Sequence, residues 1–244
     1  MGMSPSRIVN FGIGVKVSYN SFPMVQIKIC GMTNMDDALA AVDAGADTLG
    51  FVFYPESTRA VSRKTAAAII ARLPNSITPV GVFVDEDLNV VRETMTECGL
   101  RIAQLHGSES AAYCSRLGRT VIKAIRLRNA SDLDAMTEYE VAAFLLDAFV
   151  AGVPGGTGTC VDWQLVSPIT RRHRIILAGG LSAENVGEAV RRVRPQGVDV
   201  SSGVELSPGR KDHAKLTAFV AAARASFADL PLVVGEAHDT AIDG

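Results

Sequence analysis

From residue 25 onward, short β-branched apolar runs alternate with stretches of helical periodicity, and the cycle repeats eight times. The pattern predicts strands over 25–30, 48–53, 78–84, 102–105, 120–125, 142–146, 174–177 and 197–200. It predicts helices over 35–44, 64–73, 88–98, 110–117, 132–137, 162–166, 183–193 and 212–227. Glycines at 45, 99 and 118 close three of these helices, and Thr33-Asn34 is a cap signal for the first. Strands separated by helices pair in parallel through right-handed crossovers. Eight such units are the number that closes on itself, so the expected fold class is α/β, a single (β/α)8 barrel. A doubly wound sheet is the competitor, but it places its glycine-rich turn after the first strand. Here that turn reads Cys30-Gly31-Met32-Thr33, and the glycines cluster late.

The cycles occupy residues 24–228 as one domain; 1–23 reads as a peripheral N-terminal extension and 229–244 as a C-terminal tail. Charge is nearly balanced, 24 Lys+Arg against 26 Asp+Glu, which argues against nucleic acid or a charged membrane surface as partner. No apolar run approaches the roughly 18 residues that span a bilayer. A small molecule is therefore the expected partner. Cys30, Cys98, Cys114 and Cys160 lie far apart with no CxxC pair, which gives neither a metal cluster nor a disulfide framework. That usage suits a reducing cytoplasm.

In a barrel of this kind, chemistry sits at the C-terminal ends of the strands. The rule selects Cys30, Arg59, His106 and Asp147, together with two turns of small residues, Gly179-Gly180 and Ser201-Ser202-Gly203. Each turn ends an apolar strand and exposes bare backbone N–H groups. Two of them, about twenty residues apart, can converge on one phosphate after strands 7 and 8, and a helix N-terminus behind the second would add favourable potential. The loop Gly155-Gly156-Thr157-Gly158 can close over that side, with Gly156 offering its own N–H. Taken singly, these residues also have plainer readings. A strand-end cysteine is usually a small buried hydrophobe, an aspartate after a strand often caps a turn, and His106 reads either as a structural histidine or as a substrate contact.

Together, KICGMT (28–33), GFVF with PESTR (50–59), GVFV (81–84), QLHG (104–107), LLD (145–147), GGTG with Asp162-Trp163, LAGGL (177–181) and VDVSSGVE with PGRKD (198–212) resemble the phosphoribosylanthranilate isomerase family of tryptophan biosynthesis. The resemblance runs in family order from about residue 25 to 227. Val161 and Cys160 depart from the family pattern in a loop flank. Sibling phosphate-binding barrels fit less well. One class uses two aspartates where strand 1 here ends in Cys30, and another uses an early catalytic lysine. A catalytically silent phosphosugar binder is the reading from a different class; the presence of Cys30, Asp147 and Arg59 together argues against it.

The resemblance implies an Amadori rearrangement of a phosphoribosyl substrate, with Asp147 as general acid and Cys30 as general base and with neither redox cofactor nor metal. It implies that Arg59 clamps the anthranilate carboxylate, that Gly156, Gly179, Gly180, Ser201, Ser202 and Gly203 hold the phosphate, and that the chain is a monomer or a homodimer. The alternation of strand 1 adds one expectation of its own. Lys28 faces into the barrel beside Cys30, strand 8 is its neighbour on closure, and Lys28 should pair with Asp199. Such a pair leaves little net field on the thiol.

Overall fold

The computed structural model describes residues 26–127, 131–148 and 166–230. Eight parallel strands follow one another around the molecule: β1 Gln26–Cys30, β2 Thr48–Val52, β3 Thr78–Phe83, β4 Ile102–Leu105, β5 Thr120–Leu127, β6 Ala143–Ala148, β7 Ile175–Ala178 and β8 Gly197–Val200. Each pairs with the next and β8 pairs with β1, so the barrel is closed. The helices between them are α1 Met35–Asp43, α2 Arg63–Ile70, α3 Leu88–Cys98, α4 Ala111–Leu117, α5 Ser131–Asp134, α6 Val186–Val193 and α7 His213–Ala228. The side chains of Asn34, Ser62, Asp87, Ser110 and Asp212 accept first-turn N–H groups of α1, α2, α3, α4 and α7, each worth about 1 kcal/mol. Gly99 and Gly118 take the left-handed conformation that ends α3 and α4.

Burial divides into two layers. An outer core packs the strands against the helices around Ile27, Leu49, Leu105, Val190 and Phe219. An inner cluster of Val80, Ile102, Ile122, Ala124, Ala143, Leu145, Ile176 and Ala178 fills the barrel from β3 to β7. Registered partners in a parallel ladder point to the same face. The pairings Lys28 with Thr48, Cys30 with Gly50, and Lys28 with Asp199 therefore bring these residues inward together.

Three local expectations need correction. The helix expected over 132–137 is a single turn, α5, that gives way to a 3-10 turn over Ala135–Glu138; Ser131 and Asp132 are weak helix formers and the segment is too short to sustain a nucleus. α6 begins at Val186 rather than 183, because Asn185 accepts the Ser182 N–H and donates to the Gly180 carbonyl, which fixes a turn there. After β8 comes a 3-10 turn, Ser202–Val204, in place of a regular helix start. A hairpin of β9 (Glu205–Ser207) and β10 (Arg210–Lys211) then precedes α7. The expected extension 1–23, loop 152–158 with Gly156, helix 162–166 except its last residue, and nearly all of the tail lie outside the described residues.

Candidate active site

The site grows from the top of β1. Cys30 ends the strand facing inward and is 8% exposed. Two residues deeper, the fully buried Lys28 donates to the Asp199 carboxylate at 2.8 Å. The expected pair is present. Burial works against the Lys28 charge, but Asp199 overcomes it and holds the ammonium above its ordinary value. Across on β2, a Cβ at Gly50 would lie 2.8 Å from the Cys30 Sγ and 3.1 Å from the Lys28 Nζ. Only glycine leaves room there for both. Burial pushes the Cys30 thiol up; Lys28 pulls it down and Asp199 pushes it up again, so desolvation prevails.

Gly31, with φ +82°, turns the chain out of the barrel, and a Cβ on it would sit 2.8 Å from the Arg59 Cδ. The Arg59 stem thus lies directly over the end of β1. Its guanidinium meets Glu205 side-on, Nε to Oε1 at 2.9 Å and to Oε2 at 3.2 Å, and Nη2 to Oε2 at 2.6 Å. Glu205 also accepts from Lys211 Nζ at 2.9 Å. That ammonium, wholly buried, donates further to the carbonyls of Cys30 at 2.6 Å and Ser201 at 3.3 Å. Ser201 Oγ donates to the same Cys30 carbonyl at 3.2 Å. Burial opposes ionisation of Glu205, yet Arg59 and Lys211 hold its carboxyl below the ordinary range.

Asp147 faces inward near the end of β6, three strands from β1 through β8 and β7. Its side chain is 34% exposed, and its Oδ2 lies 3.5 Å from the Nε2 of His106 at the end of β4. Gln104 turns its amide NH2 to the His106 Nδ1 at 3.2 Å; with Nδ1 accepting, the ring proton sits on Nε2, toward Asp147. The loop behind His106 is pinned from below. Lys123 on β5 donates to Glu109 at 2.8 Å, and Glu109 accepts from the backbone N–H groups of Asp85 and Gly107. Asp199 lies within electrostatic reach of both Asp147 and His106, linking the two rims.

The glycine turns are adjacent. Gly179 and Gly180 have φ of +84° and +65°, and Gly203 is pressed so closely on the Leu181 carbonyl that a Cβ would collide with it. The structure therefore joins Cys30, Arg59 and Ser201 in one rim, His106 and Asp147 in another, and the β7 and β8 turns to each other. A separate cleft of about 700 Å³ is lined by Thr33, Asp37, Leu206, Arg210 and His213 and includes neither Cys30 nor Asp147. Among the described residues no group of side chains is arranged to hold a metal ion, and no helix is long and apolar enough to cross a membrane. Cys98 and Cys114 are buried in α3 and α4. Sequence reasoning quoted Glu205 and Lys211 within motifs but gave them no role; their signal was a lone acid just past the Ser201-Ser202-Gly203 turn and a lysine just past Pro208-Gly209.

Residues 27–222 match the family model for N-(5'phosphoribosyl)anthranilate (PRA) isomerase. The chain belongs to the phosphoribosylanthranilate isomerase family. The N-(5'-phosphoribosyl)anthranilate isomerase of Pelobacter propionicus is 51% identical over 201 residues, 82% of this chain and 96% of that protein. That of Geobacter sulfurreducens is 49% identical over 201 residues, again 82% of this chain and 99% of the relative. Among solved structures, the isomerase of Thermotoga maritima superposes with a TM-score of 0.79 at 42% identity, covering 83% of this chain and all of that one. A phosphoribosylanthranilate isomerase in complex with reduced 1-(o-carboxyphenylamino)-1-deoxyribulose 5-phosphate gives 0.75 at 41% identity, covering 83% of this chain and 100% of that chain. The family match begins in β1 and ends within α7, so it takes in every residue of both rims.

Proposed function

We propose that this isomerase converts N-(5'-phosphoribosyl)anthranilate to 1-(2-carboxyphenylamino)-1-deoxyribulose 5-phosphate in tryptophan biosynthesis, with Asp147 as general acid and Cys30 as general base. The observation that carries the division of labour is the placement of one thiol and one carboxyl, both inward, on strands three apart around the mouth. Asp147 gives a proton to the ribose ring oxygen as the C1'–O bond breaks, leaving a protonated Schiff base. Cys30, as thiolate, takes the proton from C2', and the electron pair of that C–H bond moves to form the enolamine. Protonation at C1' and loss of the C2' hydroxyl proton complete the aminoketose. Substrate and product are isomers, so the net change consumes no redox equivalent.

Arg59 receives the anthranilate carboxylate as a fork. The turns Gly179-Gly180 and Ser201-Ser202-Gly203 take the phosphate on backbone N–H groups, and Gly156 adds to them. His106, with Nε2–H toward Asp147, orients the acid. The substrate is a small phosphoribosyl compound, the site of action the cytoplasm, and the assembly a monomer or homodimer; a T. maritima relative is described as dimeric.

The test is conversion by purified protein without added nucleotide. Cys30→Ala and Asp147→Asn should each lower kcat by at least ~10²-fold, the usual contribution of a positioned acid or base. Full rate in either variant removes that residue's role. A folded wild type that binds the product but does not turn over the substrate leaves only a phosphosugar binder.

A further inference from the structure

A guanidinium has two edges that can each take a carboxylate in parallel hydrogen bonds: the side formed by Nε and one Nη, and the end formed by the two Nη groups. Arg59 spends its side edge on Glu205, through Nε and Nη2. Its end edge, with Nη1, makes none of those bonds, and the side chain is 25% exposed above Cys30. Glu205 is in turn held at its Oε1 by the buried Lys211 ammonium at 2.9 Å and by the Gly209 N–H at 3.3 Å. Its side chain is only 4% exposed. The acid is thus fixed by partners other than Arg59, and a fixed acid fixes the plane of the guanidinium.

From this geometry we infer that Glu205 is a positioning residue for substrate recognition: it occupies the side edge of Arg59 so that the end edge stands ready for the aryl carboxylate. The inference rests on the reading of Arg59 as the carboxylate clamp. It assigns Glu205 no contact with substrate and no part in proton transfer. Because Lys211 also bonds the Cys30 and Ser201 carbonyls, the same acid sits in one network with the base and the phosphate turn. The carboxylate clamp is therefore built in register with both.

The test is a double-mutant cycle on the Kd of reduced 1-(o-carboxyphenylamino)-1-deoxyribulose 5-phosphate, measured by calorimetry. Arg59→Ala should weaken binding about 10- to 100-fold, the range for a lost hydrogen bond to a charged group. Glu205→Gln should weaken it about tenfold, and the double variant should bind as Arg59→Ala alone does, because Glu205 acts only through Arg59. Additive losses would make Glu205 a support of the fold instead and overturn the inference, as would unchanged affinity in Glu205→Gln. Unchanged affinity in Arg59→Ala would instead sink the clamp itself, a distinguishable failure. Should Glu205→Gln not fold, Arg59→Lys decides. A lysine ammonium pairs with Glu205 but has no second edge, so it should bind as weakly as Arg59→Ala; wild-type affinity would overturn the two-edge account.

Discussion

The barrel interior has two unlike halves. From β3 to β7 its deep layers are almost wholly apolar, Val80, Ile102, Ile122, Leu145 and Ile176 packing on one another with the uncharged Gln104 buried beside Ile122. Where β1 meets β8 and β2, the same depth carries Lys28, Asp199 and Thr48, with Cys30 above them. The first half closes the barrel by burial that any set of branched side chains of similar volume would supply. The second half gives up that burial, and its ion pair gains back less than the charges lose on leaving water unless the geometry is good. What it secures is a cationic and an anionic group at fixed distance beneath one thiol. On the other side, Asp147 sits above the apolar layers, partly open to solvent, with His106 3.5 Å away. The base is built into a dry, locked seam and the acid onto an open rim.

The contrast can be broken from the seam first. Lys28→Met keeps most of the volume but strands Asp199, and should cost about 3–5 kcal/mol in denaturant unfolding. It also removes the main group that pulls the Cys30 thiol down, while burial and Asp199 continue to push it up. The rise of kcat/KM with pH should therefore move to higher pH. An unmoved profile would mean that the field of Lys28 does not reach the thiol. On the apolar side, Ile122→Val should cost about 0.5–1.5 kcal/mol and leave the pH profile where it was. A shifted profile there would show that packing, not charge, sets the thiol.

Much of this was legible in the residues. Eight alternations gave the barrel, because strand and helix periodicities differ and parallel pairing admits few connections. Lys28 and Asp199 could be paired from sequence because each alternates inward and closure makes β1 and β8 neighbours. The Arg59–Glu205–Lys211 group could not. Arg59 and Glu205 are 146 residues apart, one in the loop after β2 and the other at the start of the short β9, and no periodicity reports how a loop and a hairpin lean together. The hairpin that carries Lys211 was hidden for a related reason. Pro208-Gly209 announces a turn, and Gly209 does adopt φ +81°, but strands as short as β9 and β10 leave no alternation to read. The 3-10 turn after β8 is not legible in the sequence because Ser202-Gly203 suits a helix start and an irregular turn equally.

The most direct measurement of the central claim follows the Cys30 thiol and the reaction together: the pH dependence of alkylation at Cys30, read by peptide mass, beside that of kcat/KM. Alkylation reports thiolate in the free protein, and kcat/KM reports the ionisations of the free enzyme. With burial holding the thiol above its ordinary value, both should still be climbing at pH ~8.5, the ordinary thiol midpoint, and should rise in parallel. If kcat/KM reaches its plateau near neutrality while Cys30 remains a thiol, the proton at C2' goes to another group and the buried seam is not the base.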